Sequence, residues 1–177
     1  MKQLLFLPVD LDIILLNNIR QKNPRYLPNW NPFWNVSEIE ITSDIQNFCK
    51  QLPINEISLI YYKIQEKVVN VHKDTNKKNC DPILYQNLYD NEPAGFHIIL
   101  SGKKDALSVF NGTTFVRTNM PETTNSYIMG ITNTLHKVDD DPGRLTIFIR
   151  GFIDAEKHKI FVSKNLEKYS NYAIYEN

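Results

Sequence analysis

From Ile57 onward the chain alternates short apolar runs with turn residues. ISLIYYKI, VVNVHKD, FHIILSG, LSVFNG, TTFVR, SYIMGI, HKV, RLTIFIRGFI and KIFVS are short β-rich runs. Their β-branched and aromatic residues suit a pleated, half-buried surface. Turn signals separate them at Gln65–Lys67, Gly102–Asp105, Asn111-Gly112 and Asp141-Pro142-Gly143. Many short strands at this spacing predict a sandwich or barrel. A jelly roll is one such fold, and it can enclose a site between its two sheets.

Residues 1–40 lack that rhythm and read as an irregular N-terminal region. In NPRYLPNWNPFWNV, Pro24, Pro28 and Pro32 argue against a regular helix or a central strand. The aromatics of that segment either pack onto the domain or line a substrate groove. SDIQNFCKQL predicts a short helix with Ser43 as N-cap. Ile45, Phe48, Cys49 and Leu52 fall on one side of it, and Pro53 ends it. SKNLEKYSNYAIYEN reads as a polar tail with weak helical character at its start. No repeat or linker divides the chain, so a single domain over 1–177 is expected. Its parts are a support region at 1–56, a catalytic core at 57–163 and a tail at 164–177.

The 177 residues suffice for a core without disulfide staples. Twenty basic residues balance twenty acidic ones, so no net field favours nucleic acid or an anionic membrane. Cys49 and Cys80 lack metal-ligand spacing and read as free thiols of a reducing compartment. Asp10 and Asp12 interrupt the apolar N-terminus, which argues against a signal segment or membrane span. The expectation is a soluble, cytoplasmic protein.

The candidate chemistry lies in His72, Asp74 and His136. Two histidines and one carboxylate can cap one face of an octahedral metal ion and leave the opposite positions open. Strand alternation puts Val69 and Val71 of VVNVHKD on one face and Asn70, His72 and Asp74 on the other. Lys73 then points away from the ion. The same parity sets Arg144, Thr146, Phe148 and Arg150 of RLTIFIR on one face and Leu145, Ile147 and Ile149 on the other. An arginine facing a cavity is a two-pronged donor for a carboxylate. The competing reading is that this polar face is solvated and the Leu/Ile face alone is core. His158, among charged residues in DAEKHKI, reads as an exposed histidine.

His72-x-Asp74, the distal His136 in HKV and Arg144 eight residues later resemble the Fe(II)/2-oxoglutarate-dependent oxygenases. AGFHIILSG and NTLHKVDDDPGRLTIFIRGFID look most like the aspartyl/asparaginyl β-hydroxylase branch, with the prolyl hydroxylase branch close behind. The resemblance covers residues 57 to 154. It implies a double-stranded β-helix, the cupin-like jelly-roll barrel, within a mainly β chain with a few helices. It implies Fe(II) on His72, Asp74 and His136, with 2-oxoglutarate as cosubstrate and O2 as oxidant. Arg144 would hold the distal carboxylate of the cosubstrate. His97 matches the histidine of the branch's Arg-x-His element, either approaching the oxoacid or lying buried as a structural histidine. Gly95 stands where that element has its arginine, and Arg150 is a candidate replacement from a neighbouring strand.

The implied activity is hydroxylation of a C–H bond, with succinate and CO2 as co-products. The substrate would be a polypeptide side chain (Asp/Asn or Pro) or a small molecule, because fold and metal motif do not settle it. Tyr85, Tyr89 and Tyr127 are candidates for the substrate mouth or, alternatively, packed core tyrosines. A competing function is a non-catalytic cupin-like protein that binds a metal or small ligand. A metal-assisted isomerase ranks third, since such sites more often use additional histidines and this chain has four in all.

Overall fold

The computed structural model describes residues 3–16, 25–26, 34–72, 94–129 and 134–177. The protein is mainly β, with antiparallel sheets. The strands are β1 (Leu4–Val9), β2 (Arg25–Tyr26), β3 (Trp34–Glu38), β4 (Ile54–Gln65), β5 (Val69–His72), β6 (Ala94–Ser101), β7 (Leu107–Phe110), β8 (Phe115–Arg117), β9 (Ser126–Met129), β10 (His136–Val138), β11 (Leu145–Ile153) and β12 (Ile174–Tyr175). Among the described residues two α-helices accompany them, α1 (Ser43–Cys49) and α2 (Ala155–Tyr169).

The strands form an eight-stranded sheet in the order β12-β1-β9-β6-β11-β4-β3-β2 and a four-stranded sheet in the order β5-β10-β7-β8. Between β4 and β11 the chain passes back and forth between them. β4, β6, β9 and β11 belong to the large sheet, and β5, β7, β8 and β10 to the small one. The predicted turns hold: Gly102, Gly112 and Gly143 all adopt positive φ, where a side chain would be strained.

Both faces of the large sheet are buried, for different reasons. Ile60, Phe96, Ile98, Ile147 and Ile149 meet Ile45 and Phe48 of α1 and Phe161, Leu166 and Tyr169 of α2. The opposite face carries Tyr61, Ile99, Tyr127 and Phe148, which meet Val69, Leu107, Val109 and Val138 of the small sheet. The face of β11 bearing Thr146 and Phe148 is therefore turned towards the second sheet and not towards solvent: each is 1% exposed.

Several expectations need correction. The cap of α1 is Thr42, one residue before Ser43; its hydroxyl accepts from the Ile45 backbone N–H at 3.5 Å. KIFVS, read as a strand, lies inside α2. Asp154 caps that helix by accepting from the Lys157 N–H at 3.0 Å, and Phe161, Leu166 and Tyr169 then recur at helical spacing against the sheet. The boundary drawn between 163 and 164 falls within this helix. The supposed tail ends in β12, which pairs with β1.

The N-terminal stretch read as irregular contributes β1, β2 and β3. β1 lies between β12 and β9 with Leu5 to Val9 buried, so its apolar residues serve the core. No helix among the described residues is long and apolar enough to cross a membrane. Asp10, just past β1, accepts hydrogen bonds from Lys168 Nζ and Tyr169 Oη, which ties α2 to the sheet. Burial opposes ionisation of Asp10, but the bonds from Lys168 and Tyr169 prevail and hold its carboxyl below the usual value.

Candidate metal centre

His72 ends β5 and His136 begins β10, and the two are direct cross-strand partners. Their ring centroids lie 4.3 Å apart. The local cause is a β-bulge. His136 pairs with His72 and Val138 with Val69, so two steps along β10 (136 to 138) oppose three along β5 (69 to 72). Strict alternation would set Val69 and His72 on opposite faces. The bulge restores them to one face, the inner one, where Val69 is 1% exposed. Val71, expected to share the face of Val69, is instead 48% exposed. The parity reading of VVNVHKD is thus wrong for this strand, and His72 comes to pair with His136 through the bulge.

Each histidine is oriented by the same short contact. His72 Nδ1 lies 2.7 Å from the Asn70 carbonyl oxygen, and His136 Nδ1 lies 3.0 Å from that of Thr134. A carbonyl only accepts, so each Nδ1 carries the hydrogen and the neutral ring has its lone pair on Nε2. Metal-bound imidazoles are typically fixed in this way. The pair therefore suits a divalent first-row ion in donor type and tautomer, with the two rings in contact. Asp74, the expected third ligand, lies outside the described residues, as do Tyr85, Tyr89 and Cys80. Among the described residues no group of three or more His, Cys, Asp or Glu gathers.

On the inner face of the large sheet, Phe148, His97 and Tyr127 stand side by side across β11, β6 and β9. His97 is 4% exposed and stacks on Tyr127, with centroids 4.6 Å apart and planes 4° from parallel. Phe148 lies 4.4 Å from it on the other side. Tyr127 also packs on Phe6 and is buried between the sheets.

Arg144 is the largest fully buried side chain among the described residues, 2% exposed. Its Nε donates to the Lys103 carbonyl at 3.0 Å, while Nη2 is buried without a hydrogen-bond partner among the described residues. Its backbone is held between Asp141 and Gln65. Gly102 makes room for it: a Cβ there would stand 2.8 Å from Arg144 Cγ and 2.7 Å from Asp141 Oδ2. Burying a guanidinium nitrogen unpaired costs free energy, on the order of 1–3 kcal/mol for a polar group and more for a charged one. Such a group is a natural receptor for an anion.

Thr146, two residues on and on the same face, has a buried hydroxyl that likewise lacks a partner. Lys63, its cross-strand neighbour, puts Nζ 4.7 Å from the Phe148 centroid. Neither residue was singled out from the sequence. Thr146 was within reach, because it shares the parity of Arg144, whereas Lys63 required the β4–β11 register.

Arg150 faces the same space from further along β11, directly opposite Gly95. Its Cζ lies 5.4 Å from the Phe148 centroid, and its Nε is buried without a hydrogen-bond partner among the described residues. A basic side chain thus stands beside Gly95 on the neighbouring strand. Away from this space, burial pushes the Cys49 thiol up to about 12, so it is an inert core thiol. His158 sits on α2, partly buried. No family model matches the chain, and no curated protein matches it either.

Proposed function

We propose that the protein is an Fe(II)- and 2-oxoglutarate-dependent dioxygenase that hydroxylates a C–H bond. The observation that carries this reading is the His72–His136 pair, opposed across β5 and β10 with each Nδ1 anchored to a backbone carbonyl. The strand order supports it. Eight strands shared alternately between two antiparallel sheets, β9-β6-β11-β4 and β5-β10-β7-β8, suit a double-stranded β-helix or jelly-roll core.

His72 and His136 would present Nε2 to the iron, with Asp74 as the third ligand. Arg144 would receive the distal carboxylate of 2-oxoglutarate through Nη2, and the Thr146 hydroxyl would donate to the same group. Gly102 allows the Arg144 stem to lie flat. Phe148, Tyr127 and Tyr61 keep water from the space between the sheets. When bound, the iron and cosubstrate supply O2 activation coupled to decarboxylation, giving succinate and CO2.

The competing reading is a cupin-like protein that binds a metal or small ligand without oxidising anything. Its best support, the absence of a basic side chain at Gly95, is weakened by Arg150 directly opposite. Anaerobic titration with Fe(II) and 2-oxoglutarate separates the two. The expected result is the weak visible charge-transfer band of the chelate, lost in His136→Ala while the variant stays folded. A band undiminished in that variant refutes the ligand assignment. A band without succinate formation in air favours the binding protein.

A further inference from the structure

With Arg144 assigned to the cosubstrate, Arg150 is left as a second inward-facing arginine with a buried, unpartnered Nε. Arg144 stands just before β11 and Arg150 within it, six positions apart, which is about 20 Å of extended chain. A five-carbon diacid held by Arg144 is much shorter than that span. Arg150 lies past the middle of β11, beside the start of β6 and, across Gly95, the end of β9. Its partner Gly95 is the second residue of β6, the strand that follows in chain order the one His72 ends. Met129, opposite Gly95, closes β9 shortly before His136.

We propose that Arg150 binds a carboxylate on the primary substrate, so that the enzyme selects an anionic substrate. This rests on the oxygenase reading of the His72–His136 pair. The chemistry favours an anion because no ion pair among the described residues uses Arg150. Gly95 offers no side chain to cover its guanidinium. The Phe148 ring lies 5.4 Å from Cζ, within reach of a cation–π contact that helps hold the guanidinium. A guanidinium in this setting prefers the two-oxygen fork of a carboxylate over an amide of the same shape.

The test uses the full chain with Fe(II) and saturating 2-oxoglutarate under argon, titrated with propionate and separately with propionamide by ligand-observed NMR. Propionate should bind at least tenfold tighter than propionamide. Arg150→Gln should abolish that preference, Arg150→Lys should retain part of it, and Arg144→Met should leave it intact. Melting curves establish that each variant is folded.

The proposal is overturned if wild type shows no preference, or if the preference survives Arg150→Gln. It is equally overturned if 2-oxoglutarate displaces propionate, or if Arg150→Gln weakens 2-oxoglutarate binding tenfold, since Arg150 would then serve the cosubstrate. An Arg150-dependent preference in a chain that forms no Fe(II)–2-oxoglutarate chelate would sustain the anion site and defeat the oxygenase reading.

Discussion

Val69→Ala and Val71→Ala test the bulge that aims His72. In a regular strand the two valines share a face, and their truncations have similar effects. With the bulge, Val69 is 1% exposed between the sheets and Val71 is 48% exposed. Val69→Ala removes two buried carbons, about 0.8 kcal/mol each in transfer free energy. A residual cavity raises the total to about 2–3 kcal/mol. Val71→Ala should change stability by no more than about 0.5 kcal/mol. For a chain of this size, Val69→Ala should then lower Tm by roughly 4–10 °C. Urea unfolding at unchanged m reads the difference as a shift in midpoint for one variant and none for the other. Equal losses would mean that β5 is regular and that His72 points out of the inter-sheet space, which removes the basis for the metal centre.

Three other outcomes follow from the geometry. Arg144→Met should raise the 2-oxoglutarate requirement at least tenfold, measured by chelate formation, while unfolding midpoints stay near wild type because a partly unpaired buried guanidinium is removed; unchanged cosubstrate affinity would place the carboxylate elsewhere. Gly102→Ala should destabilise by about 1–3 kcal/mol in urea, since φ is +96° and the new Cβ would meet Arg144 Cγ at 2.8 Å; a neutral effect would mean that the turn and Arg144 relax freely. Asp10→Asn should reduce stability at pH 7 and lose that effect in acid. The folded carboxyl is held below its ordinary value, so its contribution is present above the unfolded pKa of about 3.9 and disappears as pH falls through the folded one. A gap between wild type and Asp10→Asn that is equally wide at pH 7 and pH 2 would show that ionisation of Asp10 is not what ties α2 to β1.

The β-rich core and most of its strands can be read from the amino-acid order alone, because alternation and turn chemistry are local. The turns at Gly102, Gly112 and Gly143 were legible for that reason. The amino-acid order also singled out His72 and His136, because imidazoles in strand contexts are few in this chain. It misread what depends on partners distant in sequence. KIFVS has the composition of a strand, yet Asp154 and the sheet face beneath Phe161, Leu166 and Tyr169 make it a helix. Apolar Leu4–Val9 carries no sign of its place beside β9, which is set by pairing across more than a hundred residues. The bulge in β5 exists only against β10, so no property of VVNVHKD could announce it. The same holds for Arg150 and Gly95: their juxtaposition is a matter of register between β11 and β6. Local chemistry selects the side chains; long-range pairing makes two of them meet, buries one with a nitrogen left without a partner and sets another beside a glycine.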